Sequence, residues 1–252
     1  MKKICIVGAG TAGTVLALEL NEITNHEIIL LDNDKITDSF NNNLDLKKNF
    51  HNNYKNYKTT GYGFGGSSNL WHGVLTDLDD EDYLYINNTI KKNIKNEFKK
   101  YYKQIEKYFG KINFTNKTIN QKNELENYLN FSKFVKKKYT VQRSPTRFRK
   151  LLKKRLKKPN NNLKIIENAI AIKLIKNNQN EIIKLIYVKN NQEHNIFADY
   201  FIISMGGLES PRLLLQSFEN NGSLNKLIGK GLMDHPFAII GKLSIKKNII
   251  FK

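Results

Sequence analysis

The chain has 252 residues and a mass of 29.3 kDa; 40% are hydrophobic and 11% aromatic, which is globular rather than disordered and provides a core for one to two domains. Its single cysteine, Cys5, excludes an internal disulfide framework. The 42 basic against 23 acidic residues give a net charge of +19, which by itself points to a polyanion partner. Only Arg143, Arg147, Arg149, Arg155 and Arg212 are arginines, however. The rest are lysines in a chain also crowded with Asn, Ile, Tyr and Phe, all of which have A/T-rich codons. Arginine is the usual residue for bidentate phosphate and base contacts, so the charge reads mainly as compositional background. The exception is residues 127–158, which hold 13 basic residues and no acidic one.

Met1, Lys2 and Lys3 lead into an apolar run over 4–20 that has the outline of an export signal. Three glycines interrupt it and no small-residue cleavage site follows, so the chain is read as soluble and cytoplasmic. Ile4, Cys5, Ile6 and Val7 predict a buried parallel strand, with Cys5 an inert core residue. Gly8, Ala9, Gly10, Thr11, Ala12 and Gly13 then spell G-x-G-x-x-G. A helix is predicted over 14–20 and a second strand over 27–31, ending on Asp32. Strand, glycine turn, helix, strand and terminal acid within 32 residues are the context a dinucleotide fingerprint demands. Gly8 makes the turn, Gly10 lets a pyrophosphate approach the backbone, and Gly13 lets the helix pack close to the strand. The helix start offers free N–H groups and a positive dipole. Asp32 accepts hydrogen bonds from ribose hydroxyls and disfavours a 2′-phosphate. This fingerprint does not separate FAD from NAD.

Residues 33–58 are polar and Asn-rich and read as a loop or lid. A glycine-dense patch covers 61–73, in which Gly65, Gly66, Ser67, Ser68 and Asn69 bring backbone N–H groups and hydroxyls towards a ligand. An amphipathic helix is predicted over 91–109, with Ile94, Phe98, Tyr101, Ile105 and Tyr108 on one face and Gly110 as its stop. A second, basic helix is predicted over 147–158, with Phe148, Leu151, Leu152 and Leu156 inward. It reads as a surface helix; contact of 133–158 with an anionic membrane is the lesser reading. Residues 163–175 and 181–188 alternate as a hairpin or meander. A buried strand over 198–204 runs into Gly206 and Gly207, with Ser210 as N-cap and Pro211 at the first position of a further helix. His26, His51 and His194 are isolated in polar stretches and expected to be exposed, and His235 sits in a structural turn. No internal repeat and no metal-ligand spacing occur.

Four segments together are specific: the glycine fingerprint at 8–13, G-G-S-S at 65–68, G-G-L-E-S-P-R-L-L-L-Q-S at 206–217, and G-x-x-L-x-D-H-P at 229–236. In order and spacing the chain resembles the N-terminal half of a glucose–methanol–choline (GMC) flavoprotein oxidoreductase. The resemblance implies an α/β fold with bound FAD: a Rossmann-like FAD-binding domain, an inserted helical region, and the start of a β-rich substrate domain. The boundaries expected are 1–73 and 160–236 for the FAD-binding domain, 74–159 for the helical insertion, and 237–252 for the beginning of the substrate domain. It implies that Gly8, Ala9, Gly10, Thr11, Ala12, Gly13 and Asp32 hold the ADP moiety. Gly65, Gly66, Ser67, Ser68 and Asn69 line the flavin side, the backbone at Ala171 contacts adenine, and Gly206 approaches the pyrophosphate. Some members attach flavin through a histidine where this chain has Leu70, and His72 is displaced by two, so non-covalent FAD is expected.

Members of that family run to about twice this length, and their second half supplies a histidine that takes the alcohol proton while hydride passes to flavin N5. No residue here matches it, and no catalytic residue is assigned. The chain therefore reads as the FAD-binding portion of an enzyme acting on CH–OH groups of an alcohol or sugar, truncated or split, with a separate C-terminal half as a possible partner. The alternatives are a non-catalytic nucleotide-binding remnant or assembly protein and, less favoured, a polyanion-binding protein; nucleic acid is not an expected partner.

Overall fold

A computed structural model describes residues 1–33, 61–76, 87–110, 139–141, 146–156, 162–218 and 226–232. The expected lid over 33–58, the Lys136–Lys138 cluster, His51, His235 and the strand expected from 237 lie wholly or almost wholly outside them.

The first βαβ unit forms as its sequence predicts. Strand β1 (Lys3–Val7) leads through the glycine turn into helix α1 (Thr11–Ile23), which returns to β2 (Glu27–Leu31). The helix is longer than predicted at both ends: Gly10 is its N-cap, and Thr24 closes it through an N–H bond to Leu20 O. Two strands from the far end of the chain complete this sheet. They are β5 (Leu163–Ile166) beside β2 and β9 (Tyr200–Ile203) beside β1, all parallel in the order β5-β2-β1-β9.

Burial on both faces explains why β1 and β2 are unbroken apolar runs. Side chains alternate across a strand, so Cys5, Val7, Ile29 and Leu31 enter one core and Ile4, Ile6, Ile28 and Leu30 enter the other. The first core is closed by an antiparallel meander, β6 (Ala169–Lys176), β7 (Ile182–Lys189) and β8 (Gln192–Phe197), and by helix α4 (Gly206–Phe218). The second is closed by α1, by Phe64, and by Leu152 of helix α3 (Phe148–Leu156). Full burial pushes the Cys5 thiol up to about 12, which fits the inert role expected of it.

The alternation over 163–175 is not one strand. Asn168 takes φ 57 and splits it, sending β5 into the parallel sheet and β6 into the meander. Asn190 and Asn191, at φ 53 and 60, form the tight turn between β7 and β8, a conformation asparagine tolerates well.

Helix α2 (Asn88–Phe109) forms where predicted, capped by the Asn87 side chain accepting from Thr89 N–H at 2.8 Å. Its apolar face buries only at the C-terminal turn, where Tyr108 meets Leu18 and Phe148; Phe98 and Tyr101 remain 46% and 53% exposed. Tyr108 Oη donates to Glu19 at 2.6 Å and Lys107 bridges Glu19 and Glu22, which joins α2 to α1. A short ribbon, β3 (Val74–Thr76) with β4 (Tyr139–Val141), adds a sheet that the sequence did not announce. His194 is half-buried, stacked on Tyr187 at 5.2 Å, rather than exposed, because it lies on β8 opposite that ring. His26 is also half-buried, its Nδ1 accepting from Lys2 N–H at 3.5 Å.

Candidate functional site

Where β1, β2 and β9 end, a cavity of about 520 Å³ opens between the glycine turn, the 61–67 loop, β6 and the start of α4. That size lies within the roughly 300–1,000 Å³ of small-molecule and cofactor sites, and the carboxyl ends of parallel strands are where such sites form.

Each glycine of the fingerprint has its own reason. Gly8 sits at φ +101, and a Cβ there would lie 2.6 Å from Ser204 O. At Gly13 a Cβ would overlap the Gly8 carbonyl oxygen and come within 2.5 Å of Ser204 Oγ, so α1 reaches β1 only because this residue lacks a side chain. Gly10 is different. Its φ of −68 suits any residue, and among the described residues, its chain neighbours aside, the one atom within 4 Å of a Cβ there is Ser204 O at 3.9 Å. The protein tolerates a side chain at Gly10; the cavity beside it does not if a ligand is to reach the backbone.

The first helical bond of α1 runs from Thr14 N–H to Gly10 O at 3.0 Å, so the N–H groups of Thr11, Ala12 and Gly13 have no acceptor within the helix. No acidic residue stands in that first turn. The helix dipole and these N–H groups are thus left for an anion. Gly206, at φ +78 and with open space around its Cβ position, starts α4 on the opposite wall.

Asp32 ends β2 on the cavity wall, and its Oδ2 accepts from Ala9 N–H. The acid therefore ties the glycine turn to the strand end. Its main chain is held as well, by Asp32 N–H to Ile166 O at 3.0 Å and Ala169 N–H to Asp32 O at 3.1 Å. Ala169 and Ala171 thereby stand next to the residue that faces an adenosine ribose in such folds.

The 61–69 loop is docked directly on the fingerprint. Gly65 N–H donates to Ala9 O at 2.8 Å, and Gly66 comes so close that its Cβ would lie 3.1 Å from Gly10 Cα. Residues Gly66–Asn69 form a 3₁₀ turn. Arg147 clamps it from behind, Nη1 donating to Ser68 O and Trp71 O, both at 2.8 Å. Trp71 Nε1 donates back to Thr146 O at 3.0 Å, and Phe148 N–H donates to Ser68 Oγ at 3.3 Å. Arg147, counted with the basic stretch, is thus spent inside the fold, as is Arg212.

Of the residues expected at the site, Gly8, Gly10, Thr11, Ala12, Asp32, Gly66, Ser67, Ala171 and Gly206 line the cavity. Ala9, Gly13, Gly65, Ser68 and Asn69 stand behind it and hold its walls: Asn69 Nδ2, for example, donates to Phe64 O at 2.9 Å. Leu70 and His72 do not line it. Ser210 is not the N-cap expected of it. Helix α4 begins at Gly206, places Ser210 and Pro211 inside, and forgoes the one bond from Pro211 to Gly207 O. The reason is Gly206 itself, whose left-handed φ turns the chain into the helix directly after β9.

Sequence reasoning missed three contributors. Ser204 N–H donates to Val7 O and its Oγ to Gly8 O, both at 2.8 Å, stitching β9 to the fingerprint. Glu209 and Arg212 form an ion pair in the cavity wall; their i,i+3 spacing was the available signal. No histidine lines the cavity among the described residues, and among them no group of three or more His, Cys, Asp or Glu could hold a metal.

FAD fits these walls. Two helix starts face the cavity, Asp32 lines it at the end of β2, and Gly10 is a glycine for which the described residues supply no steric reason. Comparison with known proteins agrees. The chain is similar to pyridoxine 4-oxidase from Mesorbium loti, at a TM-score of 0.56 and 16% identity over 86% of this chain and 52% of that one. It is similar also to an FAD-dependent oxidoreductase from Chaetomium thermophilum, at a TM-score of 0.53 and 16% identity over 86% of this chain and 47% of that one. At such identity these likenesses show the fold. A stretch of 79 residues is 34% identical to the fructose dehydrogenase large subunit of Gluconobacter japonicus, covering 29% of this chain and 14% of that protein. The chain thus spans about half the length of the two solved relatives, and a smaller share of the third. The family profile described as GMC oxidoreductase matches residues 111–237, half of the chain; this protein is a member of the GMC oxidoreductase family, whose cofactor is FAD.

Proposed function

We propose that this chain is the FAD-binding portion of an oxidoreductase that takes hydride from a CH–OH group of an alcohol or sugar. The observation that carries the reading is Gly10: a glycine with ordinary φ and free space on its protein side, placed where two helix starts converge. FAD, when bound, supplies the two-electron acceptor at flavin N5. The chain's residues supply the binding. Thr11, Ala12 and Gly206 offer main-chain N–H groups to the pyrophosphate, Asp32 receives the ribose, and the 61–67 loop covers the flavin side. The attachment is non-covalent on this reading, because neither Leu70 nor His72 reaches the cavity.

The general base that removes the alcohol proton is assigned to chain outside these 252 residues. One observation supports this: the chain spans only about half the length of the two solved relatives. The name of one relative, a fructose dehydrogenase large subunit, favours a sugar as donor. We assign residues 1–73 and 160–236 to the FAD-binding domain and 74–159 to an insertion, in a cytoplasmic protein.

Titration of the purified chain with FAD, followed by quenching of flavin fluorescence, tests the binding. Anaerobic addition of sugars and alcohols, with and without the co-expressed remainder of the enzyme, tests the chemistry. Saturable binding, with flavin bleaching only when the remainder is present, is the expected result. Absence of FAD binding would sink the proposal.

A further inference from the structure

One polar assembly in the cavity wall is not used by the binding scheme above. Arg212 lies in α4 and extends its guanidinium across to β6. Its Nε donates to Glu209 Oε2 at 2.5 Å, Nη1 to Gln216 Oε1 at 2.5 Å, and Nη2 to the main-chain carbonyl of Ala171 at 3.0 Å. Arg212 and Glu209 side chains are only 22% and 16% exposed, and both residues line the cavity. A guanidinium held at three nitrogens by two side chains and a carbonyl is fixed in plane, which a lysine ammonium does not reproduce.

The carbonyl it grips is no ordinary ladder group. The β6–β7 pairing slips between Ala171 and Lys173, since Ala171 faces Tyr187 while Lys173 faces Ile186. One residue, Ile172, is therefore left out of the ladder. Bulges of this kind bend a strand and turn its peptide edge, and they collect beside ligand sites. The bulged segment is tied to α4 at both ends, through Arg212 to Ala171 O and through Leu174 N–H to Ser217 Oγ at 2.8 Å. Only the first tie is in the cavity wall.

The position of this edge follows from Asp32. Ala169 N–H is bonded to Asp32 O, so β6 enters the cavity next to the acid that receives the adenosine ribose. On the FAD reading, the base attached to that ribose would meet the edge at 169–171, which lines the cavity. Adenine presents an amine donor beside a ring-nitrogen acceptor; hypoxanthine presents an oxygen beside a ring N–H, the reverse order. A peptide edge that cannot turn discriminates between them, because the wrong base leaves buried polar groups unpaired. An edge free to turn adapts to either.

We propose that Arg212 is a positioning residue for base selection: anchored by Glu209 and Gln216, it fixes the Ala171 carbonyl and so makes the adenosine end of the cavity selective for adenine over hypoxanthine. The proposal rests on the FAD reading and goes beyond it. Calorimetric titration of the full chain with FAD, ADP and IDP tests it, in wild type, R212K, R212A and S217A, alongside thermal melting of each without ligand. Wild type is expected to prefer ADP to IDP by about tenfold or more, the loss of one well-placed hydrogen bond with an unpaired partner. R212K and R212A are expected to bring that ratio within about threefold of unity, and S217A, which cuts the tie remote from the cavity, to leave it unchanged while lowering the melting temperature. If wild type binds FAD yet R212K keeps the ADP-to-IDP ratio, or if S217A abolishes it as R212A does, Arg212 is a structural strut and the proposal is overturned. If wild type binds neither FAD nor ADP, the cofactor reading falls and the proposal with it.

Discussion

Replacing Gly10 with alanine separates what the fold needs from what the ligand needs. Its φ of −68 is compatible with alanine, and among the described residues beyond its chain neighbours the new Cβ would meet only Ser204 O, at 3.9 Å. The change restricts the unfolded chain, worth about 0.4–1 kcal/mol, but puts a poorer N-cap residue at the start of α1, a cost of similar size, so stability should change by no more than about 1 kcal/mol. The methyl group would instead stand in the path of a pyrophosphate approaching the free N–H groups of α1. Losing one or two hydrogen bonds to a charged group, about 1.5–3 kcal/mol each, predicts FAD affinity falling by at least about tenfold. Gly13→Ala is the mirror experiment. Its Cβ would overlap Gly8 O and press on Ser204 Oγ, so α1 must shift from β1. An overpacking cost of about 1–3 kcal/mol or more outweighs the helix-propensity gain of roughly 1 kcal/mol. Thermal melting and FAD titration of both variants measure the two quantities. The reasoning is refuted if G10A lowers the melting temperature as much as G13A, or if G10A binds FAD like wild type.

Three further outcomes are expected. Asp32→Asn should weaken FAD by about tenfold or more, since an amide replaces a carboxylate acceptor for charge-assisted bonds, and should narrow the preference for ADP over its 2′-phosphorylated counterpart; parallel titrations measure both. Arg147→Ala removes a guanidinium bonded to Ser68 O and Trp71 O and leaves those carbonyls without it, so the melting temperature should fall by several degrees, at roughly 2–4 °C per kcal/mol for a chain of this size; R147K should recover only part. Acid sensitivity should trace in part to Asp199, whose carboxyl is held below its usual range by the Lys3 N–H and the Lys2 ammonium. A depressed folded pKa means the unfolded chain takes up the proton first. The contribution is therefore present above the unfolded value, near ~4, and lost as pH falls through the lower folded value. Melting curves of D199N should accordingly lose less stability than wild type between neutral pH and acid, and an identical pH dependence would remove Asp199 from the account.

The sequence alone determined what local pattern and backbone chemistry decide. The βαβ unit over 3–31, the glycine fingerprint, the acid at 32 and the later strand–glycine–helix segment all follow from short-range rules, and nine of the fourteen residues expected at the site do line the cavity. The α2 helix was legible from its period, but the half-exposed Phe98 and Tyr101 show that period fixes a face and not what covers it. Tertiary structure decided the rest. Whether β5 joined the parallel sheet or the meander turned on one left-handed residue, Asn168, and on a neighbour, β2, more than 130 positions away in the chain. That Ser68 and Asn69 hold the loop while Ser67 faces the cavity depends on which way a 3₁₀ turn is pressed by Arg147. The net charge of +19 could not say that Arg147 and Arg212 point inward, because a charge count carries no direction. Pattern specifies elements through contacts a few residues apart; the cavity is made where four distant segments meet, and only packing brings them together.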